Sequence, residues 1–97
     1  GDSDFYLELL KDFTELTIRD ELNGFLKEED AKNYCIRVHG LKNNAYSIGA
    51  KEIGDLAYEL EKLTKDNVLD KVPELQRHMF ELYDSVCRRY NEVIVVS

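Results

Sequence analysis

Four stretches of this 97-residue chain space their apolar side chains three and four positions apart, and a single proline interrupts them. That repeat leaves little open to the chain but amphipathic helix. The first stripe runs Phe5, Leu9, Phe13, Leu16, Leu22, Phe25 and Leu26, with Asp2 or Ser3 available as its cap. It weakens at Gly24 and stops in the charged stretch Lys27-Glu28-Glu29-Asp30, so the first element reads as one helix or as two in series. The second stripe is Ala31, Tyr34, Cys35, Val38, Leu41, Ala45 and Ile48, opened by Asp30 as a cap and closed at Gly49. A third, Ile53, Leu56, Ala57, Leu60 and Leu63, reads as an antiparallel return that ends at the polar segment Thr64-Lys65-Asp66-Asn67. The fourth is Leu75, Met79, Leu82, Val86, Tyr90 and Val93, with Pro73 in its first turn, where a missing N–H costs little. Val93-Ile94-Val95-Val96 is the one segment open to a strand reading, and we read it as the end of that helix. The predicted fold is all-α: one domain over residues 1–97, an antiparallel up-and-down four-helix bundle whose first element is open to a split in two.

Composition fits one small core. About 43% of the residues are apolar and only five are glycine, which excludes both disorder and a loop-rich disulfide scaffold. Twenty acidic side chains against thirteen basic ones give a net charge of −7, which argues against a nucleic-acid partner, since phosphate-backbone affinity comes from clustered Lys and Arg. Cys35 and Cys87 stand far apart with no CxxC or Cys/His cluster around either, so no zinc site is expected. No apolar run reaches the length of a membrane span, and the opening GDSDFYLELL lacks the order of a signal peptide. The expected setting is cytoplasmic, without membrane insertion. Gly1 in the place of an initiator Met suggests a segment of a longer protein, or a scar left by preparation.

The second stripe holds the informative chemistry. At 100° per residue His39 falls about 120° from the centre of the apolar line and therefore faces solvent. Lys32, Asn43 and Tyr46 lie on the same side, with Lys42 and Cys35 between this group and the core. A histidine ringed by lysine and amide groups is set up to carry an anion. Residues 31–51 contain Lys32, Arg37, Lys42 and Lys51 and no Asp or Glu, so taking this local +4 from the net −7 leaves −11 on the other 76 residues. Such a face attracts an acidic partner. His78, on the polar side of the last stripe, reads as a surface residue. Cys35 reads as a small core side chain on the seam, and Tyr34, Tyr58, Tyr83 and Tyr90 as core or rim packing.

The stretch His39-Gly40-Leu41-Lys42-Asn43-Asn44-Ala45-Tyr46-Ser47-Ile48-Gly49-Ala50, continuing to Ile53, Leu56 and Leu60-Glu61, resembles the signature of histidine-containing phosphotransfer (HPt) domains. That pattern is H-x-L-K-G, then small residues, then G-A, then leucines and L-E. The resemblance covers residues 30 to 61 strongly, and the remainder in helix order and length. It implies a four-helix bundle whose exposed histidine, His39, accepts a phosphoryl group from a receiver-domain aspartate and passes it to another receiver. Lys42, one turn on, would steady the phosphoryl oxygens. Lys32, Cys35, Asn43 and Tyr46 would belong to the docking face. The partners implied are response-regulator receiver domains, with a hybrid histidine kinase in the same chain as a further one. No cofactor is expected on this chain, because the receiver would supply Mg²⁺.

The residue type suits that role. A neutral imidazole has one ring nitrogen with a free lone pair, and the loose, highly charged transition state of phosphoryl transfer needs positioning and cations more than a general base. Where the family pattern has Gly after the Lys, this chain has Asn43, which either crowds docking or donates a hydrogen bond to the phosphoryl group. No nucleotide-binding motif accompanies the site, so a phosphoryl carrier rather than a self-sufficient kinase is expected. The competing readings are the phosphoaccepting domain of a chemotaxis-type kinase and a helical module that binds a receiver without accepting phosphate. A hydrolase ranks below both, for want of paired carboxylates or a nucleophile and base on one face.

Overall fold

The computed structural model describes residues 2–14 and 16–96, with side chains over 4–14 and 16–93. The cap assigned to Asp2 or Ser3 lies outside the described side chains. The fold is all-α, with five helices among the described residues: α1 (Asp2–Thr14), α2 (Ile18–Lys27), α3 (Ala31–Ser47), α4 (Lys51–Lys65) and α5 (Val72–Val96). The Val93–Val96 segment is therefore helical in backbone. At about 1.5 Å per residue the 25 residues of α5 cover most of the 44 Å long axis of the molecule.

The first stripe is two helices, and the break falls between Thr14 and Ile18 rather than at Gly24. Packing explains the position. In an unbroken helix Phe13 and Ile18 would stand about 140° apart around the axis. With the break both enter the core, Phe13 2% and Ile18 fully buried. Gly24 lies on the solvent side of α2, where an added Cβ would meet nothing within 4 Å, so no contact calls for a break there.

Asp30 caps α3 as expected, Oδ1 accepting from the Asn33 amide at 3.1 Å and Oδ2 from the Asn33 side chain at 2.6 Å. Its far end closes with a Schellman motif: Ala50 N–H donates to the Ala45 carbonyl at 2.8 Å and Gly49 N–H to the Tyr46 carbonyl at 3.1 Å. Gly49 takes the left-handed conformation this requires, φ 81°. The turn sends α4 back along α3. Contacts near the turn join Tyr46 to Asp55, and contacts far from it join His39 and Lys42 to Glu61, so the two helices run antiparallel. They share the most extensive packing of any pair, followed by α4 with α5, α2 with α3 and α1 with α5.

The core gathers Phe13, Ile18, Leu22, Tyr34, Val38, Leu41, Ala45, Ile53, Ala57, Leu60, Val72, Met79, Phe80 and Tyr83. The buried line on α5 is rotated from the predicted one. Val72, Gln76, Met79, Phe80 and Tyr83 are buried, while Leu75, Leu82, Val86 and Tyr90 are only half-buried and Val93 is exposed. Gln76 conceals this line from an apolar count. It is buried because Tyr34 donates to its Oε1 at 2.8 Å and its own amide donates to Asn23 at 2.6 Å, pinning α3, α5 and α2 together. At the other extreme Phe5, at the head of the first stripe, is 64% exposed. No helix among the described residues is long and apolar enough to cross a membrane.

Candidate functional site

The local order of α3 decides where His39 emerges. Val38 and Leu41 point into the core, and the next position round the helix brings the imidazole out at the seam with α4, its side chain 53% exposed. On α4 the buried Leu60 places Glu61 on the same seam. The Glu61 carboxylate bridges two side chains of α3, with Oε2 2.5 Å from His39 Nδ1 and Oε1 2.7 Å from Lys42 Nζ. Burial alone would raise its pKa, but the hydrogen bonds from Lys42 and His39, and their charges, outweigh it and hold the carboxyl below the ordinary range.

An ionised carboxylate can only accept, so the proton of this contact sits on Nδ1. In the neutral ring that leaves the lone pair on Nε2. The only described side chain within hydrogen-bonding distance of Nε2 is Asn43, whose amide nitrogen lies 3.4 Å away, a long contact aimed at the lone pair. Glu61 thus fixes the tautomer and Asn43 faces the nitrogen that carries the lone pair. Beneath them the Cys35 thiol donates weakly to the Glu61 carbonyl at 3.6 Å. Lys42 is held twice, by Glu61 and by the face of Tyr58 at 5.2 Å, with Lys62 over the same ring at 4.8 Å.

Of the residues expected at the site, the fold brings His39, Lys42 and Asn43 together around one carboxylate and sets Cys35 half-buried below it. Lys32 and Tyr46 are exposed on α3, and no hydrogen bond or ion pair among the described residues joins them to His39. Tyr46 is committed to α4: its ring lies against Gly54, and its hydroxyl donates to Asp55 at 2.6 Å, a bond that raises the phenol pKa. Glu61 is the residue that reading one helix at a time left out of the site. Its signal was the Leu60-Glu61 pair, twenty-two positions from the histidine in sequence.

The surrounding charge is smaller than a count over residues 31–51 implies. Arg37 pairs with Glu21 of α2 and Lys42 with Glu61 of α4, whereas Lys32 and Lys51 have no ion pair among the described residues. One groove of about 450 Å³, lined by Tyr6, Leu10, Val86 and Tyr90, runs between α1 and α5, and another of about 440 Å³ opens between α3 and α4 against Lys32, Cys35 and Thr64. His39 lines neither, and its half-exposed imidazole on the α3–α4 seam suits a macromolecular partner better than an enclosed small substrate. No protein-family model, curated protein or solved structure matches the chain, so its chemistry rests on the geometry of this site.

Proposed function

We propose that this domain is a phosphorelay carrier, in which His39 takes a phosphoryl group from an aspartyl phosphate on a receiver domain and passes it on. The scaffold in this reading is an antiparallel up-and-down bundle of α2 to α5, with α1 packed along the C-terminal half of α5 and tied to the α3–α4 turn by the Tyr6 hydroxyl, which donates to the Ile48 carbonyl at 3.0 Å. One observation carries the proposal: a half-exposed imidazole whose Nδ1 is tied to Glu61, so that Nε2 presents its lone pair outward.

The chemistry follows from that tautomer. Nε2 attacks phosphorus, the N–P bond forms as the P–O bond to the aspartate breaks, and the electron pair leaves with the aspartate carboxylate. Nδ1 keeps its proton, so positive charge develops on the ring, and the Glu61 carboxylate is placed to balance it. The receiver would contribute Mg²⁺, which neutralises charge on the phosphoryl oxygens. Lys42 enters this scheme only by exchanging Glu61 for a phosphoryl oxygen. A second reading, a receiver-binding module that does not transfer, draws support from Asn43, whose amide faces the nucleophilic lone pair.

The deciding experiment mixes the domain with an aspartyl-phosphorylated receiver and Mg²⁺ and seeks an acid-labile, base-stable phosphate by intact mass and phosphorus NMR, with His39→Gln as control. Phosphate on the wild type alone is the expected result. Binding to several receivers without transfer would replace the carrier with the non-transferring module.

A further inference from the structure

We infer that Asn43 is a positioning residue for the phosphoryl group: its carboxamide donates toward the Nε2 lone pair in the free imidazole and to a phosphoryl oxygen once Nε2 is modified, prolonging the life of the phosphohistidine. The inference rests on the phosphotransfer reading and goes beyond it by assigning the lifetime of the modified state to one side chain.

Three observations support it. Asn43 lies one helical turn beyond His39 on the same face, so its amide stays on the Nε2 side of the ring. Among the described residues the carboxamide makes no other hydrogen bond; the bond that Ser47 donates at this position goes to the backbone carbonyl. Lys42, the cation of this cluster, is committed elsewhere, because it is bound to Glu61. A phosphoryl group on Nε2 would project its oxygens toward Asn43, replacing a long contact to a neutral lone pair with a charge-assisted hydrogen bond. The amide is thus a better partner for the product than for the free ring, and that difference opposes loss of the phosphoryl group.

The test loads the domain with potassium phosphoramidate, which transfers its phosphoryl group to imidazole with ammonia as the leaving group and needs no receiver. Wild type, Asn43→Ala and Asn43→Gln are compared, with circular dichroism to confirm equal helix content. Asn43→Ala is expected to shorten the phosphohistidine lifetime by about tenfold, the effect of one hydrogen bond to a charged group, and Asn43→Gln to recover part of it. In the unphosphorylated protein the ¹⁵N signal of His39 Nε2 should move when Asn43 becomes Ala, a response that a merely structural role would not produce. A lifetime unchanged by Asn43→Ala, or an Nε2 signal that stays in place, overturns the inference and leaves the carrier reading intact. Failure of the wild type to take phosphate on His39 from either phosphoramidate or a charged receiver overturns both.

Discussion

Glu61 of α4 ties His39 to Lys42 across the α3–α4 seam, one carboxylate oxygen 2.5 Å from the imidazole Nδ1 and the other 2.7 Å from the ammonium. One side chain thereby sets the tautomer of the histidine and occupies the Lys42 ammonium. Replacing it with Gln keeps the shape and removes the charge. Glu61→Gln is expected to lower phosphate acceptance by about tenfold or more, since the ring loses both its fixed tautomer and the anion that balances it. Leaving the half-buried Lys42 without its anion should also cost about 1 kcal/mol of stability. Transfer rates with a charged receiver, and the tautomer read from ¹⁵N shifts, check this. An unchanged rate would confine Glu61 to a structural role.

The same carboxylate makes stability depend on acid. Hydrogen bonds from Lys42 and His39 overcome burial to hold Glu61 below the ordinary range, those with Thr17 and Arg37 do so for Glu21, and those from Asn33 do so for Asp30. A carboxyl with a depressed folded pKa contributes stability that is complete above its unfolded value, near 4.5 for Glu, and is lost as pH falls through the folded value. Melting temperature should therefore fall below about pH 4.5 with no loss from these groups above it. The Glu61→Gln variant should show a shallower acid limb. If its limb superposes on that of the wild type, Glu61 is not among the groups responsible.

Lys42 separates charge from packing. Its stem is largely buried beside Tyr58, and its head is bound to Glu61. Lys42→Met retains the stem and removes the charge, whereas Lys42→Ala removes both. Each should slow phosphate acceptance by several-fold without abolishing it, with Lys42→Ala alone losing a further 1 kcal/mol or so of stability. Equal rates in wild type and Lys42→Met would take the ammonium out of the mechanism.

Much of this was legible along single helices. Asp30 and Gly49 declare the ends of α3 through capping chemistry that needs no tertiary information, and the placement of His39 off the apolar line follows from helical period alone. What needed the third dimension involves pairs of helices. Glu61 joins the site only because α4 returns antiparallel to α3. Gln76 is buried only because Tyr34 and Asn23 meet it from two other helices, and its polarity hid the true inner line of α5. The break before Ile18 likewise depends on what Phe13 and Ile18 must both reach, and no glycine or proline marks it.

Gly54 offers a test of the Tyr46 placement. A Cβ there would lie 2.4 Å from the Tyr46 ring, too close for the ring to stay where it is. Gly54→Ala should swing the ring away and break the bond to Asp55, lowering the melting temperature despite the better helix propensity of Ala. Tyr46→Phe loses only that exposed hydrogen bond and should cost less than about 1 kcal/mol. If Tyr46 belongs to the docking face, Gly54→Ala also weakens receiver binding while leaving phosphoramidate loading unchanged. A stabilised Gly54→Ala would mean that the ring does not rest on the glycine.

Among the described residues three helix ends close with the same paired hydrogen bonds, and they differ in the residue that takes the left-handed position: Glu29 at φ 55°, Gly49 at φ 81° and Asn67 at φ 57°. Only glycine meets that conformation without a clash between Cβ and the backbone, and the penalty for other residues is about 1–2 kcal/mol. Glu29 is the worst suited of the three. Glu29→Gly should therefore stabilise the domain by about 1 kcal/mol, part of the relief being offset by the greater freedom of glycine in the unfolded chain. For a domain of this size that corresponds to a rise of about 4–8 °C in melting temperature. Gly49→Ala should shift it by a similar amount in the opposite direction. Because Glu29 lies outside the His39–Glu61–Lys42 cluster, phosphate acceptance should be the same before and after the change. A fall in melting temperature for Glu29→Gly would show that contacts of the Glu29 side chain outweigh its backbone strain.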